Sequence, residues 1–327
     1  MIGTVAAIGW LALGLLALIA GAELITRGGV QVATRVGVPP IIIGLTIVAL
    51  GTSTPELAVG IEAARRGSGS LAIANIAGTN IVNILLILGL SALLRPLALT
   101  MQTLRFDLPV MTLVAVALVV LALDGSLTRA EGIVMMVAAL IYTVAIVRLT
   151  RRESFMTKIE FAREFRASRR LSPIHEVLLN LAALIVGIAV VVIGSDWLVD
   201  GGVALARTMG ISDAVIGLTI VAIGTSAPEL VTTVIGTLRN DRDIAIGNLL
   251  GSSIYNILVI LGLTCIVSPE ALPVERHLAL IDIPLMALVA IVCVPVFLSA
   301  RRVSRLEGGM FVGAYVVYLT YLIVART

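Results

Sequence analysis

The sequence predicts an all-α membrane protein of ten transmembrane helices, arranged as two inverted-topology five-helix repeats, and three observations carry that prediction. Of 327 residues, 59% are hydrophobic and only 13% charged, whereas a soluble domain carries about 25% charged residues. The apolar residues fall in blocks close to the roughly 20 that a helix needs to cross about 30 Å of hydrocarbon. A fourteen-residue segment also recurs almost unchanged in the two halves of the chain. Together these exclude disorder and an ordinary soluble domain.

In chain order, apolar stretches occupy 4–25, 38–62, 70–94, 106–123 and 131–148, then 178–199, 213–236, 244–267, 279–299 and 307–324. The first lacks a basic leader, and Glu23 and Arg27 follow it in place of a small-residue cleavage site. It reads as a retained span and not as a signal peptide. The one long polar connection, 149–177, separates a first five-helix repeat (1–148) from a second (178–327). Arg151, Arg152, Lys158, Arg163, Arg166, Arg169 and Arg170 make it basic, with Glu153, Glu160 and Glu164 interspersed at roughly helical spacing. It reads either as a solvated linker or as a short charged helix on the membrane surface.

Charge placement sets the orientation. With 149–177 cytoplasmic, Arg27, Arg35, Arg95, Arg105, Arg148, the seven linker bases, Arg239, Arg242, Arg301, Arg302 and Arg305 lie inside, 17 of the 23 Lys and Arg residues. Arg65, Arg66, Arg129, Arg207, Arg276 and Arg326 lie outside. That excess follows the positive-inside rule and puts both termini outside, in a multi-pass protein expected in the inner (plasma) membrane.

Gly44–Leu57 reads GLTIVALGTSTPEL and Gly217–Leu230 reads GLTIVAIGTSAPEL, differing only at Leu50/Ile223 and Thr54/Ala227. The same offset of 173 pairs Glu23 with Asp196, Asn75 with Asn248, Gly78 with Gly251, Thr79 with Ser252 and Asn83 with Asn256. Further on, Asp107-Leu-Pro109 matches Asp282-Ile-Pro284, and Arg129-Ala-Glu131-Gly132 matches Arg305-Leu-Glu307-Gly308. Each repeat holds five spans, an odd number, so the second copy enters the membrane from the opposite side. Inverted repeats of this kind suit alternating access around a midplane site.

Glu56 and Glu229 fall inside the second and seventh spans with no Lys or Arg in either span core. An unpaired carboxylate there costs several kcal/mol and marks an ion path, unless it is a protonated core residue. Thr52 and Glu56, like Thr225 and Glu229, stand four residues apart and share a face of a helix. Pro55 and Pro228 break the helix, and their rings clash with the carbonyls of Gly51 and Gly224, freeing them. Hydroxyls, carboxylates and released carbonyls are the hard oxygen ligands of Ca²⁺ and Na⁺. In the third and eighth spans, Asn75, Thr79 and Asn83, and Asn248, Ser252 and Asn256, form single polar stripes. Such stripes either complete a cage around the two glutamates or bond helices together. Two cysteines, Cys265 and Cys293, and two histidines, His175 and His277, match no metal-ligand spacing, and no phosphate loop of Walker type occurs.

The paired GTSxPEL signatures, each followed by a Gly-[Ser/Thr]-x-x-x-Asn stretch, resemble the calcium/cation antiporter superfamily, specifically the prokaryotic sodium/calcium exchangers with two inverted alpha-repeats. The resemblance covers essentially the whole chain. It implies that Glu56 and Glu229 occupy the centre of the ion site, that Thr52, Ser53, Thr225, Ser226, Thr79 and Ser252 supply hydroxyl ligands, and that Asn83 and Asn256 fill the amide or acidic positions. Backbone carbonyls at Ala49 and Ala222 correspond to sodium contacts of the family. The first and sixth helices are implied to slide as a gate, with Glu23 and Asp196 either lining an ion entrance or serving as interfacial anchors. Several exchangers of this kind have Asp at one of the positions matched by Asn83 and Asn256, so this site holds two formal negative charges in place of three.

The expected function is therefore secondary active antiport of Ca²⁺ against Na⁺ by alternating access, with no covalent chemistry, no cofactor and no ATP. A proton-coupled cation antiporter is the alternative within that class, and a passive cation channel the alternative outside it. The expected partners are the lipid bilayer and inorganic cations, with no nucleic acid and no obligatory protein partner.

Overall fold

The structure is a computed structural model and describes residues 2–36, 40–65, 67, 69–164, 174–208 and 222–326. The middle of the polar connection with Arg166, Arg169 and Arg170, the start of the second signature (217–221), and Arg66 lie outside the described residues.

Among the described residues the helices are α1 (Ile2–Val36), α2 (Ile41–Thr52), α3 (Thr54–Arg65), α4 (Gly69–Leu94), α5 (Thr103–Asp124), α6 (Arg129–Glu164), α7 (Ile174–Thr208), α8 (Ala222–Thr225), α9 (Ala227–Leu238), α10 (Arg242–Val267), α11 (Leu278–Ser299) and α12 (Arg305–Arg326). Seven of these, α1, α4, α5, α6, α7, α10 and α11, are long and apolar enough to cross a membrane. The α2–α3 pair, bent by 41°, is together long and apolar enough for an eighth, either as a broken span or as a re-entrant loop. α6 runs 36 residues, about 54 Å at the helical rise of about 1.5 Å per residue. It therefore carries the first part of the basic connection beyond the roughly 30 Å of hydrocarbon as continuous helix.

Burial separates an inner pair of helices from an outer set. About three quarters of the apolar windows of α4 and α10 are buried (72% and 78%), against 28% for α1, α6 and α7. Large apolar side chains such as Leu16, Val134, Leu140, Leu179 and Val317 stand exposed around the outside. In water such a surface would drive aggregation; here it is the face turned to lipid.

Glycine dictates the closest approaches. Gly14, Gly21 and Gly28 on α1, and Gly187, Gly194 and Gly201 on α7, each recur every seven residues. A Cβ on Gly14 would lie 2.8 Å from the Gly194 carbonyl, and one on Gly187 would lie 2.9 Å from that of Gly21. The two backbones thus run against each other along a small-residue seam, the contact that apolar solvent favours between helices.

Two short antiparallel pairings tie the halves together. β1 (Leu97–Ala98) pairs with β4 (Arg302–Val303), and β2 (Ser126–Leu127) pairs with β3 (Leu272–Pro273). Each pairing joins one strand from either side of the polar connection. Among the described residues five π-helical stretches interrupt the helices: Gly44–Val48, Val82–Leu88, Thr103–Asp107, Asn256–Leu261 and Leu278–Asp282. The second and fourth begin at or beside Asn83 and Asn256, and the third and fifth end on Asp107 and Asp282. Wide turns of this kind re-aim side chains and occur preferentially at functional positions.

Candidate cation-binding site

The helix breaks fall at serines. Ser53, between α2 and α3, has φ −82° and ψ 14°; Ser226, between α8 and α9, has φ −86° and ψ 5°. Pro55 and Pro228 then occupy the second position of α3 and α9, where a missing N–H leaves no partner unsatisfied.

The two carbonyls that these prolines free, expected from the sequence to be ion ligands, are each occupied by a hydroxyl. Thr54 Oγ1 donates to the Gly51 carbonyl at 2.7 Å. At the second break Ala227 stands where Thr54 does, and Ser195 on α7 reaches across to donate to the Gly224 carbonyl at 2.5 Å. By the offset of 173, Ser195 matches Ala22. The repeats have exchanged hydroxyl for methyl at both positions, and each carbonyl still finds a hydroxyl donor, the Gly51 carbonyl in addition to a backbone N–H at the break.

Around the breaks, Thr52, Ser53, Glu56, Thr79, Asn83, Thr225, Ser226, Glu229, Ser252 and Asn256 are all buried. The structure brings the first break against the eighth predicted span. Ser53 Oγ donates to Glu229 Oε1 at 2.9 Å and lies 3.3 Å from Ser252 Oγ, which reaches the same carboxylate oxygen at 3.4 Å. Thr52 Oγ1 donates to Asn248 Oδ1 at 3.2 Å. The Ala49 carbonyl lies at the same place, within 3.3 Å of Thr52 Oγ1 and 3.5 Å of Ser252 Oγ. Ala222 opens α8, but its side chain is outside the described set. Asn75 is half-buried, whereas its counterpart Asn248 is fully buried and donates to Thr233 Oγ1 at 3.3 Å.

What remains unsatisfied is mostly acceptor. Both oxygens of Glu56, Oε2 of Glu229, Oδ1 of Asn83 and Oδ1 of Asn256 are buried without a hydrogen-bond donor. Glu56 and Glu229 lie within electrostatic reach of each other. No Lys or Arg among the described residues forms an ion pair with either. Buried acceptors without donors are rare in folded proteins and call for a cation or proton. The oxygen-only donor set, with no thiolate or imidazole near, fits a hard cation.

One residue at the site, Asn80, and two buried acids away from it lie beyond the sequence reading. Asn80 accepts from Asn256 Nδ2 at 3.3 Å and donates to the Ser253 carbonyl at 3.2 Å. Ser253 is its own counterpart by the offset of 173, so the two helices touch at equivalent positions. Asn80 escapes the i, i+4, i+8 stripe because it lies on the flank of it; its place three residues before Asn83 is the only signal. Asp107 and Asp282, seen in the sequence only as repeat markers at the edges of spans, are buried acids at 0% and 3% exposure.

Glu23 does not stand open to solvent as a bare carboxylate. It forms ion pairs with Arg27 on its own helix and with Arg239 just beyond α9. Beside it, a cavity of about 330 Å³ is lined by Val30, Asn240, Asp241, Arg242 and Asp243. Partial burial pushes the Asp241 carboxyl above its usual range; Arg239 opposes this and Glu23 adds to it. Asp196, the counterpart of Glu23, is exposed on α7.

A lipid-facing helical body around a buried set of oxygen acceptors defines a multi-pass membrane protein with a cation-suited interior. The sodium/calcium exchanger protein family profile matches residues 6–148 and 179–324, and the chain belongs to that family. It is 30% identical over 343 residues to the sodium/calcium exchanger MaX1 of Methanosarcina acetivorans, covering 95% of this chain and 97% of that one. It is 34% identical over 315 residues to the inner membrane protein YrbG of Escherichia coli, covering 95% of each. The fold superposes on the sodium-calcium exchanger NCX_Mj with a TM-score of 0.83 at 26% identity, over 99% of this chain and all of the other.

Proposed function

We propose that the protein is a secondary active antiporter that exchanges Ca²⁺ for Na⁺ by alternating access. The observation that carries this reading is the set of buried acceptors without donors at Glu56, Glu229, Asn83 and Asn256. Two carboxylates match the charge of one Ca²⁺. Oxygens of Thr52, Ser53, Ser252 and the Ala49 carbonyl, already within hydrogen-bond reach of one another and of Glu229, complete the ligand inventory. Thr79, Thr225 and Ser226 add hydroxyls from the same buried region. MaX1 and NCX_Mj carry sodium/calcium exchange in their names.

The body is read as ten spans in two inverted five-helix repeats, 1–148 and 178–327, joined by 149–177. The matched positions of strands, π-helical stretches and close-packed glycines support that reading. The expected location is the inner membrane, the compartment named for YrbG, with both termini outside.

Proteoliposomes loaded with Ca²⁺ and given separate Na⁺ and pH gradients test the assignment. The expected result is Ca²⁺ flux driven by the Na⁺ gradient and abolished by Glu56→Gln or Glu229→Gln. Flux driven only by the pH gradient would move the assignment to proton-coupled exchange. Flux that needs no counter-ion would make the protein a channel.

A further inference from the structure

Asp107 lies on α5, outside the cation cage, and nothing in the exchange mechanism uses it. Its side chain is fully buried. Tyr142 on α6 donates its phenol to Oδ1 at 3.3 Å, while Oδ2 is buried with no hydrogen-bond partner. Among the described residues no base pairs with it: Arg105, two residues earlier, is exposed. A carboxylate held this way in a membrane span carries a charge that one phenol cannot compensate. Protonation removes the charge and turns one oxygen into a donor.

Tyr142 also connects this acid to the helix that bears Asn256. Its ring meets that of Tyr255 edge-on, with centroids 5.9 Å apart, and stacks on Phe106 at 5.8 Å. The neighbouring Thr143 bonds the Tyr255 hydroxyl at 2.7 Å. α6 therefore grips Asp107 with one residue and Tyr255 with the next, and Tyr255 directly precedes Asn256 in α10. α10 contributes only Tyr255 as a titratable group near this contact; its other ionisable residues are Arg242 and Asp243 at one end and the buried Cys265 toward the other. α11, which packs along α5, carries Asp282 and Cys293, both buried. α6 carries Tyr142, with Glu131 and Arg148 toward its apolar segment's ends, and α5 itself ends at the exposed Asp124.

We propose that Asp107 is a proton-binding site distinct from the cation cage, and that its occupancy sets the alkaline limit of exchange through Tyr142 and Tyr255. With the proton bound, α5, α6 and α10 pack as seen. Loss of the proton leaves a bare charge between them and disfavours the arrangement that positions Tyr255 and, one residue on, Asn256. Acid inhibition, by contrast, arises at Glu56 and Glu229, where protons compete with cations. The pH dependence of exchange rests on the antiport reading; the proton itself does not.

Two measurements separate the two. Infrared spectra of the Glu56→Gln/Glu229→Gln protein, whose cage carboxyls are gone, are expected to show a protonated-carboxyl carbonyl stretch that disappears in Asp107→Asn on the same background. An unchanged spectrum overturns the site whether or not the protein transports. In proteoliposomes, rates normalised to each variant's own maximum are expected to fall at alkaline pH in the wild type and to stay level in Asp107→Asn, with the acid limb kept. Tyr142→Phe, which removes the one donor favouring the carboxylate, is expected to move the alkaline limb to higher pH. It gives a readout even where Asp107→Asn does not fold. An alkaline limb with the same midpoint in the variants overturns the coupling.

Discussion

The hydroxyl of Ser195 donates to the carbonyl of Gly224 at 2.5 Å, joining α7 to the break between α8 and α9. The matching carbonyl of the first repeat, Gly51, is satisfied from within its own break by Thr54. The sequence difference Thr54/Ala227, one of only two in the fourteen-residue signature, therefore has a structural consequence. One broken span is self-contained, and the other depends on a neighbouring helix.

Ser195→Ala is expected to leave the Gly224 carbonyl buried without its donor, a loss of about 1–3 kcal/mol. Thermal unfolding of the detergent-purified protein checks this. Ser195→Thr, which keeps the hydroxyl, is the control for packing. Equal stability of Ser195→Ala and wild type would remove the bond from the account. Gly14 and Gly21 of α1 meet Gly194 and Gly187 of α7, the helix that bears Ser195, so a change here is also expected to alter the exchange rate.

The two glutamates are expected to differ without ions. Glu229 accepts from Ser53 and Ser252, whereas neither oxygen of Glu56 has a donor. Glu56→Gln removes an uncompensated buried acid and is expected to raise the apparent melting temperature in chelator. Glu229→Gln disturbs a carboxylate that has donors on Oε1, though not on Oε2, and is expected to lower it or leave it level. Both should lose at least about tenfold in Ca²⁺ affinity, about 1.4 kcal/mol. Thermal shift with and without Ca²⁺ reads both effects, and identical behaviour of the two variants would contradict the asymmetry.

How much of this was legible in the sequence depends on what each feature needed. The spans came from runs of apolar residues, and the breaks from Pro55 and Pro228, because both are local. The two-residue displacement of the breaks to Ser53 and Ser226 was not, since it is set by where the helix restarts. Nor was the fate of the freed carbonyls, because Ser195 lies 29 residues from Gly224. Asp107 sat at the edge of an apolar run, and only the packing of Tyr142 against it shows that it is buried. Asn80 needed the crossing of α4 and α10, a long-range contact that no spacing rule contains.

Gly251 permits that part of the fold. A Cβ there would lie 2.6 Å from the Leu45 carbonyl, backbone that cannot swing aside. Gly251→Ala is expected to push α2 off α10, at about 1–3 kcal/mol for overpacking, and to slow Ca²⁺ flux because Ala49 and Ser252 separate. Gly313→Ala, where nothing lies within 4 Å, serves as the neutral comparison. Wild-type flux in Gly251→Ala would show that the α2–α10 crossing does not set the site.

Asn256→Asp tests the charge of the cage. It raises the formal count from two carboxylates to three, but Asn256 now donates Nδ2 to Asn80 Oδ1. A carboxylate in that place would face an acceptor, so Asn80 must turn its amide to donate, giving up its bond to the Ser253 carbonyl. The expected result is tighter binding of monovalent cations, because a third negative charge balances a third Na⁺, offset in part by the lost Asn80 bond. Asn80→Ala in the same background should leave the new carboxylate without a donor and reverse part of the gain. Charge moved per Ca²⁺, read from the reversal potential in liposomes of known Na⁺ and Ca²⁺ gradients, measures the outcome. An identical reversal potential in wild type and Asn256→Asp would mean that the number of cage carboxylates does not fix the stoichiometry.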